Sequence, residues 1–183
     1  ATEDGKDYSV IEVFNADSME QVCEAVFKCP TLTFLDVYIP KVINNFKNKL
    51  IVPERNSVGV TIVEKLKQLY PDDVIVDIFE SGFETLSDKF KDRPLELLNH
   101  AKRGIFQNQI TRPLLIEQLY VNFKENDQLF KSRDLRIQSS TLHKTKTSKI
   151  EGTPNDDLCF AAGLAFLAKY KWNEVIKYHF QSQ

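Results

Sequence analysis

The chain has 183 residues, of which 42% are hydrophobic and 27% are charged. This is enough for one substantial core or at most two small ones, and we interpret residues 1–183 as a single domain. The net charge of −2 excludes a large, uniformly basic face, so any contact with nucleic acid must come from local clusters of Lys and Arg.

Several other classes of protein are disfavoured by what the sequence lacks. No apolar run approaches the roughly 20 residues of a membrane span, and the acidic N-terminus does not resemble a secretory signal, so we expect a soluble protein without membrane partners. No GxxxxGK[ST] sequence is present, so this chain is not expected to hydrolyse nucleoside triphosphates. Its three cysteines show no CxxC spacing and are interpreted as reduced thiols in an intracellular compartment.

An antiparallel hairpin is predicted near the N-terminus. Residues 8–14 are β-branched and aromatic, residues 15–18 have the composition of a turn, and residues 21–27 form a second extended stretch that ends before Pro30.

A parallel strand–helix–strand unit follows. Residues 38–46 have helical spacing, with Pro40 in the first turn, and residues 50–52 are a short apolar run typical of a buried strand. Ser57 is well placed to cap a helix over residues 58–69, after which residues 74–78 form another buried strand. This order predicts a right-handed parallel crossover.

The second half of the chain is less regular. Residues 80–111 are interpreted as an insertion or a mobile segment, and helical spacing returns at residues 113–124. A short strand is predicted around residues 135–137, and residues 141–152 form a basic loop or exposed ribbon. Residues 156–170 are predicted to be a buried helix, in which Gly163 permits close packing.

Glu54 is the first candidate for chemistry. It follows an apolar strand, at the edge of an open α/β sheet where ligands commonly bind. Alternatively, Glu54 pairs with Arg55 or compensates the dipole of the following helix.

A second acidic candidate opens the last helix. Thr153, Pro154 and Asp156 have the pattern of an N-cap, a first helical residue and a capping-box acid, which explains one carboxylate without a function. It does not explain two adjacent acids, Asp156 and Asp157, before an almost wholly apolar helix. Together with Glu54 they indicate a site for a hard divalent cation, Mg²⁺ or Mn²⁺, assembled from separate segments.

Basic residues near the end of the chain are candidates for phosphate contacts. Lys144, Lys146 and Lys149 lie beside His143 and are suited to a nucleic-acid backbone, although such a run is more often a solvated loop.

Four segments, in order, resemble the C-terminal nuclease domain of the large terminase subunit of tailed bacteriophages. Residues 50–60, which read LIVPERNSVGV, are similar to the middle motif of that family, and residues 5–11 resemble its first hairpin. Residues 111–116 resemble the segment before its late helix. Residues 155–158 resemble its final acidic pair.

The resemblance implies a fold and a reaction. The family has a ribonuclease H-like α/β fold, with a mixed sheet made of an antiparallel hairpin followed by parallel strands and with helices on both faces. It cleaves double-stranded viral DNA concatemers during genome packaging by two-metal phosphodiester hydrolysis. Carried over by position, Glu54 is the middle acid, Asp156 the first acid of the final pair and Asp157 a helper, whereas Asn155 stands where the family often has histidine.

The first catalytic aspartate of the family precedes the turn at residues 5–7, and the given sequence begins at Ala1. That acid is truncated, replaced at Ala1, or exchanged for Asp4 or Asp7. We take Asp4 as its substitute among the metal ligands.

The resemblance also implies partners. Double-stranded DNA would be held by Lys144, Lys146, Lys149, Arg112 and Arg136 without base readout. The portal, the terminase ATPase and the small subunit would be protein partners in a packaging complex in the host cell cytoplasm. Two alternatives are another ribonuclease H-like nuclease of the junction-resolvase type, and a docking module for DNA or portal that has lost catalysis because it lacks the first acid.

Overall fold

The fold is mixed α/β, with short strand pairs and helices on both sides of them. The computed structural model describes residues 7–47, 49–56, 58–70, 74–75, 104–105, 107, 111–145, 150–153 and 155–180, with the backbone alone for 74–75 and 170–180. The predicted cap Ser57, and most of the predicted insertion at 80–111, lie outside these residues.

The predicted hairpin is confirmed. Strand β1 (Ser9–Phe14) pairs antiparallel with strand β2 (Gln21–Phe27), in a register that places Glu12 opposite Glu24. Consecutive side chains on a strand point to opposite faces, and both faces of this hairpin are packed. Val10 contacts one hydrophobic cluster and Ile11 contacts another.

The turn of the hairpin is built around Asn15. Its side-chain oxygen accepts hydrogen bonds from the backbone N–H groups of Asp17 at 2.8 Å and Ser18 at 3.1 Å. Met19 has a positive φ of 58° and packs against the core, which a glycine at this position would not do. The turn composition of the sequence therefore has the structural role predicted for it.

The helical segment after the hairpin begins earlier than predicted. It consists of α1 (Thr31–Thr33), a π-helical turn (Phe34–Tyr38) and α2 (Ile39–Ile43), and Pro40 lies in the first turn of α2, in the interior of the whole segment. Proline has no N–H to donate and its ring crowds the preceding turn. The wider π-helical turn just before Pro40 accommodates this, and Ile39 N–H bonds to the Phe34 carbonyl oxygen.

The parallel pairing of the predicted crossover is confirmed for the described residues, and residues 76–78 of its second strand lie outside them. Strand β3 (Leu50–Ile51) is followed by helix α3 (Gly59–Leu69) and by strand β4 (Val74–Ile75), which pairs parallel with β3. Beyond β3, Glu54 forms a parallel bridge with Ile105. The end of the predicted insertion thus returns to the side of this unit.

The remaining elements are mainly helical. They are α4 (Thr111–Glu125), a 3₁₀ turn (Asp127–Leu129), α5 (Arg133–Thr141), the two-residue strands β5 (His143–Lys144) and β6 (Ile150–Glu151), and α6 (Asp157–Phe180). Strands β5 and β6 pair antiparallel, which confirms a ribbon within residues 141–152.

The predicted strand at residues 135–137 is wrong. These residues lie in α5, where the Ser132 hydroxyl caps the helix by accepting a hydrogen bond from Leu135 N–H at 3.0 Å. Leu135 is fully buried but Ile137 is 48% exposed. These two apolar residues therefore do not lie on a common buried face, as they would in the predicted strand.

Helices cover both sides of the strands. On one side, the π-helical turn, α2 and α3 supply buried residues to a cluster that also receives Ile11 and Ile51 from strands β1 and β3. On the other side, α4 and α6 supply the clusters that receive Val10 and Val52. The hairpin and the segment around β3 therefore both lie between helices, and among the described residues no ladder of hydrogen bonds joins them.

Gly163 has the packing role predicted for it. A Cβ atom at this position would lie 2.8 Å from the carbonyl oxygen of Leu115. The close approach of α4 to α6 therefore depends on glycine. In the part of the chain that the structure describes, no helix is long and apolar enough to cross a membrane.

Candidate active site

The backbone at Glu54 is held in place by pairing with Ile105. Arg55 N–H donates to the Ile105 carbonyl oxygen at 2.8 Å, and Ile105 N–H donates to the Pro53 carbonyl oxygen at 2.9 Å. Ile105 is fully buried and packs beside Leu115 and Phe160. The backbone carrying Glu54 is therefore fixed by a strand-like segment that lies about fifty residues later in the chain.

Asn56 and Gln107 strengthen the same connection. The Asn56 side chain donates to the Gln107 carbonyl oxygen and accepts from Gln107 N–H, with both distances 2.7 Å. The start of α3 also packs closely against Glu54. A Cβ atom on Gly59 would overlap the Glu54 carbonyl oxygen, so glycine is required at this position. Sequence reasoning missed both features, because both depend on tertiary contacts.

The second acid, Asp156, lies directly before α6. Its carbonyl oxygen accepts from Phe160 N–H at 3.1 Å, so Asp156 occupies the N-cap position. The predicted capping box, with Thr153 as N-cap, is wrong because the helix starts at Asp157. The Asp156 carboxylate instead accepts from Gly152 N–H at 3.2 Å and from Arg112 Nη2 at 2.8 Å.

Glu54, Asp156 and Asp157 line one cavity of about 780 Å³. The cavity lies between strand β1 and the segment around β3, and α6 forms part of its wall. Arg112 and Glu12 also line it. Two acids that are remote in the sequence are thus brought to a common space, together with one arginine that was predicted to bind DNA.

The electrostatics of the cavity are dominated by crowded carboxylates. Burial among protein atoms raises the pKa of Glu54, although the residue as a whole is exposed to solvent. Asp156 and Asp157 raise this pKa further, and the Arg112 guanidinium opposes them. Burial likewise raises the pKa of Asp157, and the neighbouring charge of Asp156 adds to it.

The carboxylates of Glu54, Asp156 and Asp157 are suitable ligands for a hard cation, but they do not form a complete metal-binding site. Carboxylate oxygens are the ligands that Mg²⁺ and Mn²⁺ prefer, and crowding of like charges favours a cation among them. Within the described ranges, however, no group of three or more His, Cys, Asp or Glu side chains is arranged to hold a metal ion. The predicted ligand Asp4 lies outside those ranges, whereas Asp7, the alternative acid, contributes to the raised pKa of Asp157.

Of the other predicted DNA-binding residues, the described Arg136 and Lys144 do not line the cavity. Arg136 donates to the carbonyl oxygens of Phe130 at 2.8 Å and Asp127 at 2.6 Å, and so fastens the 3₁₀ turn to α5. Lys144 is exposed on the β5 strand of the ribbon. Lys146 and Lys149 lie outside the described residues. Of these basic residues, Arg112 alone is placed by the structure beside the acids.

Comparison with known proteins adds no relative. Neither a protein-family model, nor a curated protein, nor a solved structure matches the chain. The function must therefore be argued from the residues and their geometry.

Proposed function

We propose that the chain is a divalent-metal-dependent DNA endonuclease domain with a ribonuclease H-like fold, of the kind that cleaves viral DNA concatemers during packaging. The observation that supports it most is the convergence of Glu54 with Asp156 and Asp157 at one cavity. These are the positions at which the terminase resemblance places the middle acid and the final acidic pair.

The order of the elements supports the same proposal. An antiparallel hairpin precedes a parallel strand–helix–strand unit, and helices cover both sides of the strands. A ribonuclease H-like sheet requires the hairpin and the parallel strands to belong to one layer. Their alternating contacts with the same helical layers agree with that requirement.

In the proposed site, Glu54 and Asp156 hold Mg²⁺ or Mn²⁺, with Asp157 adding negative charge beside them. When bound, the cations would activate water for attack on the phosphodiester and neutralise charge on the departing oxygen. The protein contributes two carboxylates whose backbone is held in place, one by pairing with Ile105 and one at the start of α6. Lysines of the 141–152 ribbon would contact phosphates without reading bases, and cleavage would have little sequence specificity.

The test is cleavage of plasmid DNA by the purified chain with Mg²⁺ or Mn²⁺. We expect cutting that stops when a chelator is added, and a loss of at least about 100-fold in rate for Glu54→Gln and for Asp156→Asn. These isosteric changes remove charge with little change in shape. Matched controls are Glu64→Gln and Asp36→Asn, which alter exposed carboxylates that pair with surface lysines.

Full activity in either site variant would contradict the proposal.

One specific observation favours a second function, a DNA- or portal-docking module without catalysis. Among the described residues, no group of three possible metal ligands is present. That function predicts no cutting by the unmodified chain and no heat of binding on titration with Mn²⁺.

A further inference from the structure

Arg112 makes three hydrogen bonds and a cation–π contact at the cavity. Its Nε donates to the Ile150 carbonyl oxygen at 3.1 Å, Nη1 to Gln107 Oε1 at 3.3 Å and Nη2 to Asp156 Oδ2 at 2.8 Å. Its guanidinium carbon lies 3.6 Å from the centroid of the Phe160 ring. A planar guanidinium can satisfy all these contacts at once, which an ammonium group cannot.

The partner that matters chemically is Asp156. Its Oδ2 atom accepts from both Arg112 and Gly152 N–H, and the two paired side chains are only 25% and 23% exposed. A carboxylate oxygen with two donors has little remaining capacity for a cation. In this arrangement Arg112 supplies the positive charge that Asp156 needs when no metal is bound.

The charge of the cavity gives a reason for such a cation. Glu54, Asp156 and Asp157 line it, as do Lys49 and Lys169, and the raised pKa values of Glu54 and Asp157 reflect the cost of keeping carboxylates there. The positive charge of Arg112 lowers both of these pKa values and so stabilises the ionised forms. The same charge opposes the entry of any further cation.

We propose that Arg112 is a resident counter-ion of the cavity that competes with the divalent cation for Asp156. The inference rests on the proposed function and deepens it, because it assigns Arg112 to control of metal binding. Arg112 is a positioning residue in this account: it acts through Asp156, holding that carboxylate at the start of α6 until a divalent cation takes its place.

The experiment is calorimetric titration of the full chain with Mn²⁺, in the absence of DNA. Arg112→Gln removes the positive charge and keeps a hydrogen-bonding side chain. If Arg112 competes with the cation, this variant binds Mn²⁺ at least about tenfold more tightly than the unmodified chain. If Arg112 only orders Asp156, the variant binds Mn²⁺ more weakly, so the sign of the change separates the two roles.

Two variants serve as controls. Arg112→Lys keeps the charge and is expected to leave Mn²⁺ affinity close to that of the unmodified chain. Arg136→Gln removes an arginine that bonds to Phe130 and Asp127 instead of a cavity acid, and is expected to change nothing. Equal or weaker binding by Arg112→Gln, with clear binding by the unmodified chain, overturns the inference and leaves the metal site intact. Absence of binding by both overturns the proposed function as well.

A second measurement uses the unmodified chain and so does not depend on the folding of a variant. In ¹⁵N-labelled protein titrated with Mg²⁺, the Nε–H signal of Arg112 is expected to shift as Asp156 is released, while that of Arg136 stays constant. Saturation with Mg²⁺ without movement of the Arg112 signal would refute the competition.

Discussion

Glu12 and Glu24 form a second pair of crowded carboxyl groups, in the hairpin. They face each other across strands β1 and β2, and Gln21 donates to Glu12 Oε2 at 2.9 Å. The Glu12 Oε1 and Glu24 Oε2 atoms are buried and have no hydrogen-bond partner among the described residues. One proton shared between the two carboxyl groups would satisfy both atoms.

This arrangement predicts how stability depends on pH. Burial, with the charge of Glu24 adding to it, raises the pKa of Glu12 from 4.5 to about 9. Below pH 4.5 the group is protonated in both the folded and the unfolded state. Between these pKa values only the folded state keeps the proton, so the free energy of unfolding decreases as pH rises, by at most about 1.4 kcal/mol per pH unit.

The measurement is urea denaturation of the unmodified chain and of Glu12→Gln between pH 5 and pH 9. We expect the variant to lose less stability over this range, because its amide does not titrate. The exposed Glu64→Gln change is the matched control and should retain the steeper dependence. Identical pH dependence in Glu12→Gln and the unmodified chain would show that Glu12 ionises normally.

At the scale of single residues, local sequence patterns indicate some of these groups and not others. Glu54 and Asp156 are predictable candidates because Glu54 follows an apolar strand and Asp156 lies at the start of an apolar helix. Glu12 also carried a signal, since it shares a strand face with the apolar Val10 and Phe14. The contact between Arg112 and Asp156 carried none, because no local pattern reveals which of many arginines approaches a given acid.

At the scale of elements, Gly163 makes a direct prediction. In Gly163→Ala the new Cβ would lie 2.8 Å from Leu115 O and 3.1 Å from Leu115 Cβ, so α4 and α6 must separate. We expect a loss of about 1–3 kcal/mol in the free energy of unfolding, despite the better helix propensity of alanine.

Chemical denaturation measures this loss. Ala161→Gly, two residues earlier in the same helix, is the control, and it should cost only the difference in propensity, about 1 kcal/mol. Equal or greater stability of Gly163→Ala would mean that the two helices are not in close contact.

Elements were predictable where the local pattern agreed with the tertiary structure. The hairpin combines β-branched strands with a turn built on Asn15, and the sequence was sufficient to identify it. The region around residues 135–137 shows the opposite case, because the Ser132 cap and the burial of Leu135 outweigh a short apolar alternation. The pairing of Glu54 with Ile105 is long-range and could not be read from either segment alone.

At the scale of the whole molecule, the arrangement depends on two helical layers that enclose the hairpin and the segment around β3. Ile11 and Ile51 contact one layer, whereas Val10 and Val52 contact the other. This common orientation places the acid after β3 and the acid before α6 beside the same cavity. The α/β class was predictable from the sequence, but the joining of all strands in one mixed sheet stays a prediction.

The central claim is that Glu54 and Asp156 bind the same divalent cation. Crystals of the chain grown with Mn²⁺ would test it directly through anomalous scattering. The account predicts a manganese peak within about 2.0–2.6 Å of carboxylate oxygens from both residues, with Arg112 displaced from Asp156. A peak bound by only one of the two acids, or no peak in the cavity at saturating Mn²⁺, would contradict it.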